Sequence, residues 1–134
     1  MKKRPAGHRI NIKNVRPFVT SDSSEIRELL AHRNSVIRNQ SLAEARVKPG
    51  ASTIRHYHKN TEEIYYITEG KGRMELGKKR FEVKTGDAIA IPPKTPHKII
   101  NKGRRDLVLL CCCAPAYEHS DTVLLEIAGG LTPS

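Results

Sequence analysis

Residues 54–70 read IRHYHKNTEEIYYITEG. Ile, Tyr and Thr alternate with polar residues on either side of Lys59-Asn60-Thr61, the pattern of two β-strands joined by a turn. Yet this stretch carries two histidines and two adjacent glutamates. A strand in a folded domain buries one face, and burying such groups unpaired costs several kcal/mol. His56 and His58 are two apart, so both leave the same face of one strand. The turn brings the chain back, and Glu62 or Glu63 can face the two imidazoles; strand parity alone leaves both open. Two imidazoles and a carboxylate converging from a barrel wall make a site for a divalent metal, which supplies the compensation that burial demands.

The surrounding chain repeats the strand-and-turn rhythm. LAEARV stops at Pro49-Gly50, EIYYIT at Gly70, RMEL at Gly77 and RFEV at Gly86. DAIAI stops at Pro92-Pro93, HKIIN at Gly103 and DLVLLCCC at Pro115. Short strands at spacings of roughly ten residues, with no helix between them, predict an all-β sandwich or barrel of mainly antiparallel sheets. Residues 1–39 read as a basic arm with one short helix: in SDSSEIRELLAHR, Asp22 precedes Glu25 as in a capping box, and Ile26, Leu29 and Leu30 follow helical spacing. Residues 40–115 form the barrel. Residues 116–134 hold a last apolar run, Val123 to Ile127, expected to pack on the barrel or on a second subunit.

A further anomalous histidine lies in GDAIAIPPKTPHKIIN, residues 86–101. His97 follows a Pro-rich turn, precedes an apolar strand, and is placed to enter the same cavity. His8, His32 and His119 lie in polar surroundings and read as surface residues.

These two segments resemble the paired signature motifs of the cupin superfamily. In the first, Gly50 is followed after five residues by His56-Tyr57-His58, after four more by Glu63, and after six more by Gly70. In the second, Gly86, Pro92, His97 and Asn101 fall at the family's spacings. One position departs: Lys94 stands where the family has glycine, and a side chain there is strained if φ is positive. It lies outside the ligand set. The resemblance implies a single-domain double-stranded β-helix, the jelly-roll barrel, of the small kind with one barrel. It implies His56, His58, Glu63 and His97 as metal ligands and so favours Glu63 over Glu62. One divalent transition metal per chain is expected: Mn, Fe, Ni or Zn, with Co or Cu less suited. Four protein ligands leave an octahedral ion two open positions. Small cupins are frequently dimers, and a homodimer is expected here on that ground.

If Glu63 faces inward, period two puts Tyr65 and Ile67 beside it. Tyr65 is then a candidate catalytic residue through its hydroxyl, the alternative being a ring that merely packs. Arg55, Lys59, Arg73, Lys94 and Lys98 lie near the motifs in sequence, and cations at the mouth would favour an anionic substrate.

Composition bounds the function. At 134 residues, 37% of them apolar, the chain reads as one domain with a sizeable core. No apolar run approaches the ~18 residues of a membrane helix. The basic start has no apolar stretch behind it and is not a secretory signal, so a cytoplasmic protein is expected. The formal charge of +10 invites a nucleic-acid reading, but the cations are spread along the chain and only six residues are aromatic. A single helix is also too little for a helix-turn-helix. The leader, with Lys2, Lys3, Arg4, Arg9, Lys13 and Arg16, reads as a solvated arm. Cys111, Cys112 and Cys113 are consecutive, so they form no disulfide framework and read as strand residues, with Cys111 and Cys113 sharing a face.

The function expected is that of a metal-dependent enzyme on a small organic substrate, anionic if the cations near the motifs surround the mouth, such as an oxygenase, isomerase or lyase. The alternative is a non-catalytic cupin that binds or senses a small ligand.

Overall fold

The structure, a computed structural model, describes residues 7–20 and 23–126. Eleven strands are described: β1 (Phe18–Val19), β2 (Glu25–Leu30), β3 (Ser41–Val47), β4 (His56–His58), β5 (Glu62–Glu69), β6 (Lys71–Leu76), β7 (Lys79–Lys84), β8 (Ala88–Ile91), β9 (His97–Asn101), β10 (Leu107–Ala114) and β11 (Thr122–Leu124). They form two antiparallel sheets, one in the order β1-β2-β3-β10-β5-β8 and the other β11-β4-β9-β6-β7. The strands expected between residues 40 and 115 are all present. This is the double-stranded β-helix, and no helix among the described residues is long and apolar enough to cross a membrane.

The core lies between the sheets and follows strand alternation. Along β5, Glu63, Tyr65 and Ile67 are buried while Glu62, Ile64 and Tyr66 face outward. Ile67 meets Met74, Val83, Ile99, Leu107 and Leu109 from the neighbouring strands. Backbones pack closely where β5 turns into β6. Gly70 has φ +87°, and a Cβ on it would lie 2.7 Å from the Asp106 carbonyl oxygen. Gly72 faces the Ile100 carbonyl so closely that a Cβ would sit 2.3 Å from that oxygen.

The helix expected over residues 22–33 is corrected. Glu25–Leu30 is strand β2, which pairs with β1 on one side and β3 on the other, while Asp22 lies outside the described residues. Among the described residues, helical structure near the N-terminus is confined to a 3-10 turn at Ile12–Asn14. Six residues with apolar positions at 26, 29 and 30 are too few to separate the two periods. The open edge of β3 decides, because its unpaired N–H and C=O groups need a partner strand. Of the leader, Lys2, Lys3 and Arg4 fall outside the described residues. The last apolar run pairs within its own barrel: Thr122, Val123 and Leu124 lie opposite His58, Tyr57 and His56 of β4. Ile127 lies outside the described residues.

Candidate metal centre

Two neighbouring strands bring the three histidines together. His56 and His58 point inward from β4, and His97 of β9 is the register partner of His56. All three are buried, with ring centroids 4.2 Å apart for His56–His97, 5.1 Å for His56–His58 and 5.4 Å for His58–His97. One nitrogen from each ring lies within 4.8 Å of the others, so the group could hold a metal ion. Glu63 reaches the cluster from β5 in the opposite sheet and is 6% exposed, whereas Glu62 faces solvent.

The hydrogen bonds around the rings dictate where their protons sit. His56 Nδ1 lies 2.7 Å from the Ile54 carbonyl oxygen, and His97 Nδ1 lies 2.9 Å from that of Thr95. A carbonyl only accepts, so each Nδ1 carries the proton. His58 Nδ1 lies 3.0 Å from Thr122 Oγ1, whose own hydroxyl donates to the Glu118 carbonyl at 3.0 Å; the threonine oxygen therefore accepts from His58. Each ring is thus set with its Nε2 as the lone-pair nitrogen. His97 Nε2 is buried without a hydrogen-bond partner, and Glu63 Oε1 stands 3.6 Å away, beyond hydrogen-bond reach. The same Oε1 lies 3.2 Å from His58 Nε2.

Lone pairs from three nitrogens and a carboxylate oxygen therefore face one another with no N–H or O–H between them. Such a set is satisfied by a cation, and its donor chemistry fits a divalent transition metal. Burial by itself raises the Glu63 pKa, but when His58 and His97 also carry a proton on Nε2 their hydrogen bonds and charge outweigh it and hold the carboxyl down to about 2. The other carboxylate oxygen, Oε2, accepts the Cys113 thiol at 3.3 Å. Burial foremost, then the Glu63 charge, pushes that thiol far above the ordinary range, so it remains a donor.

A cavity of about 50 Å³ opens beside the cluster. At roughly 10–15 Å³ per water molecule, it holds a small ligand or a few waters. Its walls are mostly apolar and include Ile26, Ala45, Ile99 and Leu109, with Tyr65 beside the histidine cluster. The Tyr65 ring meets that of His97 edge-on, with centroids 5.9 Å apart.

Several wall residues were not expected from the sequence. Phe18, Ile26 and Glu28 come from the β1–β2 hairpin, Cys111 and Cys113 from β10, and Tyr117 from the segment after it. The inward parity of Cys111 and Cys113 was legible, but their position beside Glu63 depends on β10 pairing with β5, where Cys113 lies opposite Glu63. Arg33 ties this wall together, binding Glu28 at 2.6 Å, Glu118 at 3.0 Å and the Tyr117 carbonyl at 3.2 Å.

The cationic mouth is corrected. None of Arg55, Lys59, Arg73, Lys94 and Lys98 lines the cavity. Arg55 pairs with Glu75, Lys98 with Glu126 at 2.7 Å, and Arg73 with Glu82 at 3.2 Å. Strand parity explains this, since Arg55 and Lys98 are next to inward histidines and so point outward. Lys94 does adopt the strained conformation expected of it, with φ +64°, and its N–H donates to the His58 carbonyl at 2.7 Å. Asn101, the last residue of the second motif, is buried and serves structure. Its amide donates to the carbonyls of Val47 and Arg105 at 2.9 and 2.8 Å, and its Oδ1 accepts the Gly103 N–H at 2.8 Å.

Residues 43–113, more than half of the chain, match the family model described as the Cupin domain. The protein is a cupin. It is 54% identical over 112 residues to an uncharacterised protein of Methanocaldococcus jannaschii, covering 84% of this chain and 90% of the relative. It is similar to the crystal structure of a predicted oxalate decarboxylase from Thermotoga maritima, with 25% identity, a TM-score of 0.72, and coverage of 81% of this cupin and 99% of that chain. The polyketide cyclase RemF of Streptomyces resistomycificus shares the fold at 22% identity and a TM-score of 0.76, over 92% of this chain and 89% of its own.

Proposed function

We propose that this cupin is a metal-dependent enzyme acting on a small organic substrate, with His56, His58, Glu63 and His97 holding one divalent transition metal. The observation that carries the reading is the donor set: four lone-pair atoms converge, the His97 Nε2 among them has no partner, and a cavity adjoins them. When bound, the ion supplies Lewis-acid polarisation of a substrate oxygen, or a site for dioxygen, which spans isomerase, lyase and oxygenase chemistry. The chain's own groups do the rest. Thr122 and the carbonyls of Ile54 and Thr95 orient the imidazoles, the Cys113 thiol holds one oxygen of Glu63, and apolar walls exclude water. Tyr65 is proposed as the residue that exchanges a proton with the substrate from the cavity wall. Among the described residues no lysine or arginine lines that wall, which favours a neutral or weakly charged substrate over the anionic one first expected.

We further propose a homodimer in which the outer face of the β5 sheet is covered. Ile64 and Tyr66 are 52% and 45% exposed there, beside the outward Cys112 of β10 and Ala90 of β8. A cytoplasmic location is proposed as well, supported by three free cysteines, which a reducing compartment preserves.

Elemental analysis of tag-free protein, with His58→Ala and Glu63→Ala in parallel and a dioxygen-consumption assay on the wild type, tests the central claim. About one metal per chain, lost in both variants, is expected from the four-ligand site. Protein that stays metal-free after loading under reducing conditions would overturn it. Full metal occupancy with ligand-dependent stabilisation but no turnover would instead establish the binding-module alternative.

A further inference from the structure

At the end of the barrel away from the histidines, three turns surround an open groove of about 590 Å³ lined by Lys71, Lys84, Lys102, Arg104 and Arg105, with Gly70, Thr85 and Gly103 between them. Lys102, just past the end of β9, lies five positions beyond His97, roughly 17 Å of strand, so this groove is distinct from the histidine site.

All five cations are exposed, and none forms an ion pair among the described residues. Elsewhere several cations are paired, Arg27 with Glu25, Arg46 with Asp106, Arg55 with Glu75 and Arg73 with Glu82, while others such as Lys59, Lys78 and Lys79 stand unpaired on the surface among the described residues rather than gathered around a groove. Of the two acids that adjoin the groove in sequence, Asp106 is taken by Arg46 and Lys48 at 3.1 and 3.8 Å, and the exposed Glu69 forms no ion pair with the five cations among the described residues. Asp87 is turned to the backbone N–H of Lys84 at 2.8 Å.

Two features show that the cations are held together. Lys71 and Lys84 are directly opposite in the β6–β7 ladder, where like charges destabilise the pair. The turn carrying Lys102, Arg104 and Arg105 is pinned from inside by buried Asn101, which bonds the Arg105 carbonyl and the Gly103 N–H. Thr85 fixes the opposite rim, its N–H donating to the Gly70 carbonyl at 3.1 Å. Repulsion among cations on rigid turns is relieved by a bound polyanion.

We propose that this groove binds a compact oligophosphate, a small molecule carrying several linked phosphate groups. A groove of this volume is in the range of small-ligand sites. Guanidinium and ammonium groups are the side chains that recognise phosphate. No aromatic residue lines the groove, so it offers no stacking platform for a nucleic-acid strand.

The test is calorimetric titration of full-length, metal-loaded protein with inorganic tripolyphosphate and orthophosphate at equal ionic strength near 0.15 M, with metal content measured before and after. Tripolyphosphate is expected to bind at one site per chain, at least about tenfold more tightly than orthophosphate. The variant Arg104→Ser/Arg105→Ser should weaken it by about tenfold or more, while Lys78→Ser/Lys79→Ser, equal in charge change but at another turn, should not. Lys71→Gln should weaken binding and also raise the unfolding midpoint of the ligand-free protein, because it removes the opposed lysine pair. Equal losses in both double variants would reduce the effect to overall charge and overturn the proposal. So would a signal abolished by His58→Ala, which would place the phosphate on the metal. Tight binding of a 20-residue single-stranded oligonucleotide that tripolyphosphate does not displace would overturn it in favour of nucleic acid.

Discussion

Replacing Glu63 by glutamine in metal-free protein probes the charge arrangement of the site directly. Glutamine keeps the shape of the side chain but cannot ionise. In the metal-free wild type, burial would raise the carboxyl pKa, yet His58 and His97, once protonated on Nε2 and so able to donate, hold it at about 2 against an ordinary 4.5. The unfolded chain therefore takes up this proton first as acid is added. The stability contributed by the ionised carboxylate is complete above about pH 4.5 and is lost as pH falls toward 2. A difference of roughly 2.5 pH units, at about 1.4 kcal/mol each, corresponds to about 3 kcal/mol across that window. About 1 kcal/mol of it is gone by pH 3.5. Glu63→Gln lacks this component. It should be less stable than the wild type near pH 5, and the gap should narrow by about 1 kcal/mol by pH 3.5. Urea unfolding of chelator-treated proteins, followed by circular dichroism at several pH values, reads the gap directly. Parallel stability curves for the two proteins would refute the reasoning, because they would mean that no imidazole stabilises the carboxylate charge.

Three further outcomes are expected. Cys113→Ala removes the thiol that steadies Glu63 Oε2 and should weaken metal binding by about tenfold, while Cys113→Ser, which keeps a donor, should restore most of it; competition with a chromophoric chelator measures both. Gly72→Ala drives a Cβ to 2.3 Å from the Ile100 carbonyl oxygen and should destabilise the barrel by about 2–3 kcal/mol in denaturant titrations, with unchanged metal stoichiometry in the fraction that folds. Ile64→Lys/Tyr66→Lys charges the exposed outer face and should shift a dimer to monomer in sedimentation velocity without loss of metal; an unchanged sedimentation coefficient would exclude this face as the dimer contact.

Sequence and structure divided the work along a physical line. Alternation has a period of two along a strand and needs no partner to be legible. The burial of His56, His58, Glu63 and Tyr65 and the exposure of Arg55 and Glu62 are all consequences of local parity, once the fixed spacings choose Glu63 over its neighbour. Turn chemistry is equally local, so the strands between Ser41 and Ala114 could be placed from residues alone, while the strained position at Lys94 was legible only through the glycine that the cupin motif has there. The N-terminal segment could not. Glu25–Leu30 carries apolar residues that suit a helix as well as a strand, and the hydrogen-bonding edge of β3, distant in sequence, makes the choice. The same long-range pairing sets what surrounds the histidines. Cys113 reaches Glu63 only because β10 lies against β5, and Thr122 orients His58 only because β11 returns to β4. The groove at the far end has this origin too, since Lys71, Lys84, Lys102, Arg104 and Arg105 look scattered along the chain until three turns gather them. Residue chemistry and spacing, being local, determined the all-β class and, through the resemblance to the cupin motifs, the barrel and the four candidate ligands. Strand pairing, which joins residues far apart in the chain, decided their protonation, their supports and the walls around them.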